Sequence, residues 1–376
     1  MALTWLSINA STGAIIADLP TLRADGALKA TLMRYESQTV SLPTWAEGAD
    51  DAPPPNWLNA TREGAVFLVA LSEAEDYEPR GLPLWGGMVV RRQRIPGGGV
   101  KMSLVTAEGW FDRVYLGDEP FTQVAQNVIV KTLVEKYATT TSTTMRGLPI
   151  RVEIVGGDGV LRDKTTWTDA ADKTLYSALQ DFSGIIGGPE WTVRWEWVDS
   201  QKLGLVLTVS DRIGSPPPPG LNPAAQFYLP GSVADAELME GFGAEEGAND
   251  IMAVSSGVEA ARPQSDRQRN TTDQRPRFEK RWTPDAGIND GSTLNDHAQR
   301  ALAAMKDGSL ALTLTANRKE APKLGRDWSI GDDIGFSIEA PEFPGGLVGT
   351  ARCVGWELTD TTVTPLIDVT NIEGAS

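Results

Sequence analysis

The sequence predicts a mainly β protein with an α/β middle. Three observations predict it: 38 glycines and 24 prolines recur between short apolar runs, strand-like alternation fills the first and last thirds, and a helical period shows at only three places. In the first third, Val66 to Leu71 ("VFLVAL"), Leu84 to Ile95 and Val100 to Trp110 read as strands. The last two are joined by "PGGG", a hairpin signal. Gly86 and Gly87 permit a sharp bend or bulge in the strand. Glu47 to Asn56 is a polar, proline-rich loop.

From Glu119 the pattern becomes helical. Val124, Val128, Ile129, Leu133 and Tyr137 fall on one face, with Pro120 suited to the first turn, and the run Thr139 to Gly147 ends it. A second helix is predicted with Thr168 as cap, Leu175, Leu179, Phe182 and Ile186 inward, and Gly187 and Gly188 as the stop. It leads into "GGPEWTVRWEWVDS", where Trp191, Val193, Trp195 and Trp197 share one side of an extended strand. The short Gly-Gly-Pro turn keeps helix and strand together, so the tryptophans are expected in a core rather than on an exposed sugar platform.

Four prolines in Ser215 to Gly220 mark a boundary. Beyond it come a strand from Asp250, a polar tract from Arg262 to Arg281, a third helix at about 292–306 with Ser292 or Thr293 as cap and Leu294, Ala301, Leu302 and Met305 inward, and further strands. The expected domains are 1–117 (β), 118–219 (α/β) and 220–376 (β with one helix). No tandem repeat is visible.

The chain has 376 residues, 41% of them hydrophobic, and a formal charge of −16. That charge repels a phosphate backbone, so sequence-specific nucleic-acid binding is not expected. Cys353 is the single cysteine, which excludes an intramolecular disulfide and points to folding in a reducing cytoplasm. The first residues carry no charged leader before an apolar stretch, and nowhere do 18 apolar residues run together. Neither a signal peptide nor a membrane insertion is expected, and the Asn-x-Ser/Thr triplets at Asn9, Asn59 and Asn270 read as chance matches.

Catalytic, cofactor and metal sites are expected to be absent. The one histidine, His297, sits inside the third helix and has no partner pattern for hydrolysis. Cys353 reads as a small buried hydrophobe. Asp285 to Asp296 resembles a calcium loop, but its glycine stands at position seven and its last residue is aspartate, so it reads as a turn before a helix. "GFGAEEG" (Gly241 to Gly247) is too widely spaced for a phosphate loop, and "GGDG" (Gly156 to Gly159) reads as a hairpin turn. Glu190 and Glu196, beside the tryptophans, are the only carboxylate pair worth weighing for glycosidase chemistry. Along an extended strand they stand roughly 20 Å apart, too far to act together. The tract Arg262 to Arg281 holds seven basic against three acidic side chains, a local +4. It reads as a solvated loop or as a docking arm for an acidic neighbour.

Four passages in order, "SINASTGAIIADLPTLR" with the acidic loop after it, "LPLWGGMVVRRQRIPGGGVKMSLVTAEGWFDR", "FSGIIGGPEWTVRWEW", and the third helix followed by "RDWSIGDDIGFSI", resemble the minor tail proteins of siphophages, of the baseplate-hub type found in phages of actinobacteria. The resemblance implies two hub-type β-barrel domains with an inserted α/β domain. It further implies a homotrimeric ring whose six barrels face the tail tube while its other side stays threefold toward the tip. The implied partners are the distal tail protein or tail tube on one side and tip or spike proteins on the other, with the tape measure protein as a further one. The implied location is the virion tail, after synthesis in the host cytoplasm, and the ring would form part of the DNA exit channel. In "DWSIGDDIGFSI", Ile334, Phe336 and Ile338 alternate as in a barrel strand, with Asp332 and Asp333 as turn formers. The alternatives are a carbohydrate-binding or glycoside-active host-surface protein, and a distal tail or receptor-binding tip protein.

Overall fold

The computed structural model describes residues 3–43, 54–73, 80–97, 99–139, 146–164, 167–185, 187–255, 262–283, 291–368 and 372–373. Most of the proline-rich loop 47–56, the run 140–145, Ile186, residues 256–260 of the strand expected from Asp250, and 285–290 of the calcium-like stretch lie outside the described residues. The chain is mainly β, and its contacts form two compact units, Met1–Asp235 with Leu314–Ser376, and Ala236–Thr313.

The first unit opens with β1 (Thr4–Asn9), β2 (Ile15–Asp18), β3 (Arg23–Ala24), β4 (Leu28–Thr31), β5 (Ser37–Leu42), the short helix α1 (Trp57–Ala60), β6 (Val66–Leu71), β7 (Pro83–Ile95), β8 (Gly99–Thr106) and α2 (Ala107–Phe111). Seven of these strands make an antiparallel sheet in the order β2-β1-β6-β7-β8-β5-β3. The continuous apolar run of β6 is explained by its place: it pairs with β1 and β7, and all six residues are buried. The β7–β8 hairpin forms as predicted, paired through to Ile95 and Gly99. The strand expected to reach Trp110 ends at Thr106, and its last residues form α2 instead.

Gly86 and Gly87 are not themselves bulge residues. Their pairing to Val69 and Leu68 is continuous, and the irregularities of β7 flank them, at Leu84 against β6 and between Val89 and Arg91 against β8. A Cβ at Gly86 would lie 2.5 Å from Trp195 Nε1, and one at Gly87 2.7 Å from the Trp85 ring. These glycines admit tryptophan rings, a need that local strand geometry does not announce.

The middle region contains β9 (Phe121–Ala125), α3 (Gln126–Tyr137), β10 (Ile150–Ile154), β11 (Leu161–Lys164), a 3-10 turn (Asp169–Ala171), α4 (Leu175–Ser183), β12 (Glu190–Asp199) and β13 (Lys202–Ser210). The helix expected from Glu119 starts only at Gln126. Residues before it pair with β11, and Asp163 takes both the backbone N–H (2.8 Å) and the side-chain amide (3.1 Å) of Gln123, whose φ is +53°. A strand partner thus overrides the local period. The second predicted helix is broken at Asp172, φ +47°, and restarts with Thr174 capping Ser177 N–H at 3.1 Å rather than with Thr168. The glycines of "GGDG" link β10 and β11, which belong to different sheets, so this turn closes no hairpin. β10 runs parallel to β13, and β12 antiparallel to it.

One core joins these elements. Leu6, Phe67 and Val69 of the first sheet, Ile129 and Leu133 of α3, Leu179 and Phe182 of α4, and Trp191 and Leu207 of β12 and β13 belong to the same buried cluster.

After the prolines come β14 (Gln226–Leu229) and β15 (Val233–Gly241), along which the chain leaves the first unit. The second unit contains β16 (Asp250–Ala253), β17 (Gln268–Arg269), β18 (Glu279–Trp282) and α5 (Gly291–Met305). β16 is central in the order β17-β16-β18, and Ile251 and Ala253 meet Leu294 and Ala298 of α5 in a small core, with Ala301, Leu302 and Met305 against it. The chain returns along β19 (Ser309–Asn317) to β20 (Asp333–Ile338), β21 (Leu347–Leu358), β22 (Thr362–Asp368) and β23 (Ile372–Glu373). The last sheet runs β14-β20-β21-β22-β19-β15, and both β4 and β23 also pair with β21. In β20, Ile334, Phe336 and Ile338 are buried as the alternation predicts. β4 pairs Leu28 with Leu358 through to Thr31 with Gly355, so strands more than 300 residues apart are hydrogen-bonded neighbours.

Candidate functional site

The tryptophan strand is a core element. Trp191 is fully buried, Trp195 is 8% exposed and Trp197 is half-buried. Trp191 meets Tyr176 of α4 edge-on at 6.3 Å, whereas Trp195 meets Phe67 of β6 at 5.1 Å. Trp197 donates its Nε1–H to the Gly81 carbonyl at 2.9 Å, with Arg80 over the ring. The tryptophan side is therefore divided between the helix and the first sheet, and none of the three rings stands as a free flat surface for a sugar.

The opposite side of β12 carries charge. Arg194 and Glu196 alternate there with Arg151 and Glu153 of β10 across the central strand β13. Arg151 holds Glu196 through two bonds, at 2.7 and 2.8 Å, and also bonds Glu153; Arg194 bonds Glu153 at 3.0 Å and Glu196 at 3.3 Å. Val206, paired with both arginines, is fully buried beneath this ladder. The Arg151 guanidinium holds Glu196 below the usual carboxylate range; burial opposes it as the second largest effect, and the Arg194 charge adds a smaller lowering.

Glu190 is a structural staple. Both its oxygens take the Arg352 guanidinium, and Oε2 also accepts the Ile213 N–H at 2.7 Å. Next to it Arg212 pairs with Asp333 at 2.7 Å, and Asp332 accepts the N–H groups of Ser215 (2.9 Å) and Ser329 (2.8 Å), the turn-forming role predicted for it. Gly214 lies against Gly331 with no room for a Cβ on either, each with φ above +70°. These contacts fasten the start of the proline segment to the turn before β20. Glu190 and Glu196 are thus each held by a guanidinium, Arg352 and Arg151, as members of ion pairs.

One carboxyl, on a half-buried side chain, is raised in the folded protein, and sequence reasoning missed it. Glu108, at the start of α2, is pushed up to about 7 by burial, with hydrogen bonding from Thr106 opposing and the negative charge of Glu36 reinforcing the rise. Neither a histidine nor a cysteine accompanies it, and its position after a strand in "TAEGW" gives no sequence signal. Cys353 is buried, donates to the Gly355 carbonyl at 2.9 Å, and has its thiol pushed up to about 12 by burial. A thiol so held is a poor nucleophile. His297 packs edge-on to Trp282 at 5.9 Å. Among the described residues no group of three or more His, Cys, Asp or Glu side chains is arranged to hold a metal.

The basic tract is tied down within the second unit and supplies two of its strands. Asp250, on β16, takes Arg267 at 3.2 Å, Arg269 at 3.1 Å and Arg277 at 2.7 Å, and Arg267 and Arg277 each reach Glu279 at 2.7 Å. Burial raises the Asp250 carboxyl, but the bonds from Arg269 and Arg267 and the charge of Arg277 outweigh it, leaving a net lowering. A buried carboxylate held by three guanidiniums explains much of the local +4, and Arg275 and Lys280 pair with Asp273 and Glu245.

No protein-family model matches the chain, and no curated protein matches its sequence. Two solved structures are similar in fold over nearly its whole length. The 43 kDa tail protein of prophage MuSo2 from Shewanella oneidensis aligns with 97% of this chain and 98% of its own, at 12% identity and a TM-score of 0.56. The tail protein from Neisseria meningitidis MC58 aligns with 97% of each chain, at 12% identity and a TM-score of 0.53.

Proposed function

We propose that this chain is a structural, non-enzymatic phage tail protein of the baseplate-hub type. The observation that carries the reading is the end-to-end likeness of its fold to two phage tail proteins, covering 97% of the chain in each case. In this reading the seven-stranded sheet and the last sheet belong to two hub barrels, 1–117 and 220–376, and 118–219 is the α/β insertion. Three copies form a ring that joins the tail tube or distal tail protein to the tip, with part of the DNA exit channel along its axis.

The internal fastening supports a load-transmitting role. The β4–β21 pairing, the Glu190–Arg352 pair and the Gly214–Gly331 contact tie together segments from the beginning, middle and end of the first unit. Native mass measurement of the purified protein tests the ring: the expected species is three times the 40.4 kDa chain. A species that stays monomeric at every concentration tested contradicts it.

A further inference from the structure

The outer face of the small sheet in the second unit is built largely of arginines. α5 covers the side of Ile251 and Ala253, and the other side carries Asp250, Met252, Glu279 and Arg281, with Arg269 paired beside Asp250. Arg267 and Arg277 join them by bonding to Asp250 and Glu279, so four guanidiniums meet two carboxylates and the face keeps a surplus of two positive charges. Arg269 and Arg281 supply that surplus. Arg269 is engaged only through Nε, on Asp250 at 3.1 Å, and Arg281 only through Nε, 3.6 Å from Glu279, while their side chains are 53% and 61% exposed. Both guanidiniums thus have terminal nitrogens with no acceptor among the described residues.

The same chain carries a surface of opposite sign. β15 is the last strand of its sheet, and Asp235, Glu237 and Met239 share one side of it, all exposed. Neither carboxylate has an ion pair or a side-chain hydrogen bond among the described residues, and Met239 is 58% exposed. Carboxylates on alternate residues of a strand stand about 7 Å apart, and Arg269 and Arg281, on β17 and β18 at either side of β16, stand about 10 Å apart, a difference within the reach of arginine side chains. A carboxylate also matches the fork of arginine donors. A nucleic acid fits this face less well: its phosphates follow one another every ~1.7 Å of duplex and would meet Asp250 and Glu279 as well as the arginines. Because those two carboxylates already hold the arginines in place, little side-chain freedom is lost on contact. At physiological salt, charges more than about 8 Å apart are largely screened, so the net −16 of each copy does not prevent so local a match.

We propose that the arginine face of one copy docks on β15 of a second copy, with Arg269 and Arg281 donating to Asp235 and Glu237, and Met239 against Met252. The two surfaces differ, so the contact is head-to-tail and every copy uses both, the kind of contact that generates a ring where its rotation closes. The inference rests on the ring reading above and names a contact within it.

Charge reversal tests it on the full chain. Native mass is measured over a concentration series for the unaltered protein, for Arg269→Glu with Arg281→Glu, for Asp235→Arg with Glu237→Arg, and for all four changes in one chain. The unaltered protein is expected to assemble, each pair of changes to weaken assembly by about tenfold or more, and the fourfold change to restore it, since the two surfaces again carry opposite charge. Thermal unfolding shows whether each variant is folded. If the arginine pair is not, the β15 pair, whose carboxylates hold nothing in their own chain, decides the matter. The proposal is overturned if the folded β15 pair assembles as the unaltered protein does, or if a folded fourfold variant does not regain assembly. Three copies that ignore every reversal remove this contact and leave the ring reading standing. Another copy number that follows the reversals keeps the contact and removes the threefold ring, and a monomer throughout removes both.

Discussion

Trp195 lies directly on Gly86: a methyl group added to that glycine would come within 2.5 Å of the indole nitrogen. The contact joins β12 of the middle region to β7 of the first sheet and sets how closely the two can approach. Gly86→Ala is expected to destabilise the protein by about 1–3 kcal/mol through overpacking. Combining it with Trp195→Leu should give a smaller loss than the sum of the two single changes, because the second change opens the space that the first needs. Denaturant titrations of the four proteins measure this coupling, and strict additivity would show that the contact does not set the packing.

Glu190 accepts from Arg352 and from Ile213 N–H at once. Glu190→Ala leaves both donors without their partner, and a loss of about 2–3 kcal/mol is expected. In contrast Arg151→Ala, in the exposed ladder over β13, should cost no more than about 1 kcal/mol, a loss that shrinks in high salt. Equal losses would mean that the Glu190 staple is no stronger than a surface pair.

Glu108 predicts an unusual pH dependence. Its folded carboxyl titrates near 7, above the usual value of about 4.3 in an unfolded chain. Between these values the folded state binds more protons than the unfolded one, so stability falls as pH rises through that window and levels off above about 7. Glu108→Gln should flatten this slope and leave the protein more stable than the unaltered chain at pH 8, read as a higher melting temperature. An unchanged slope would remove Glu108 as its source.

The buried tryptophans and the buried thiol make accessibility predictions. Fluorescence of Trp191 and Trp195, isolated by replacing other tryptophans with phenylalanine, should resist quenching by iodide, and a glycan array should show no binding. Cys353 should react with a disulfide reagent only after denaturation. Strong quenching of both residues together with glycan binding would restore the sugar-platform reading.

Patterns confined to one strand or one helix face were legible in the sequence. The β6 run, the β7–β8 hairpin, the alternation in β20, the inward face of α5 and the burial of the tryptophan strand all follow from periodicity and turn chemistry. What was not legible depended on partners distant in sequence. Phe121–Ala125 has a helical period but pairs with β11, and Gly86 looks like a bend residue until Trp195 is placed on it. The excess charge of Arg262 to Arg281 looks solvated until Asp250, the first residue of β16, is seen to collect three of its arginines.

The hub reading meets its most direct test in a cryo-electron microscopy reconstruction of the distal tail of particles that contain this chain, computed without imposed symmetry. The account predicts three copies in one ring at the junction of tube and tip, with the two sheets of each chain alternating around the axis on the tube side. Particles whose tails hold no copy of the chain, or hold it in another number or away from that junction, would contradict it.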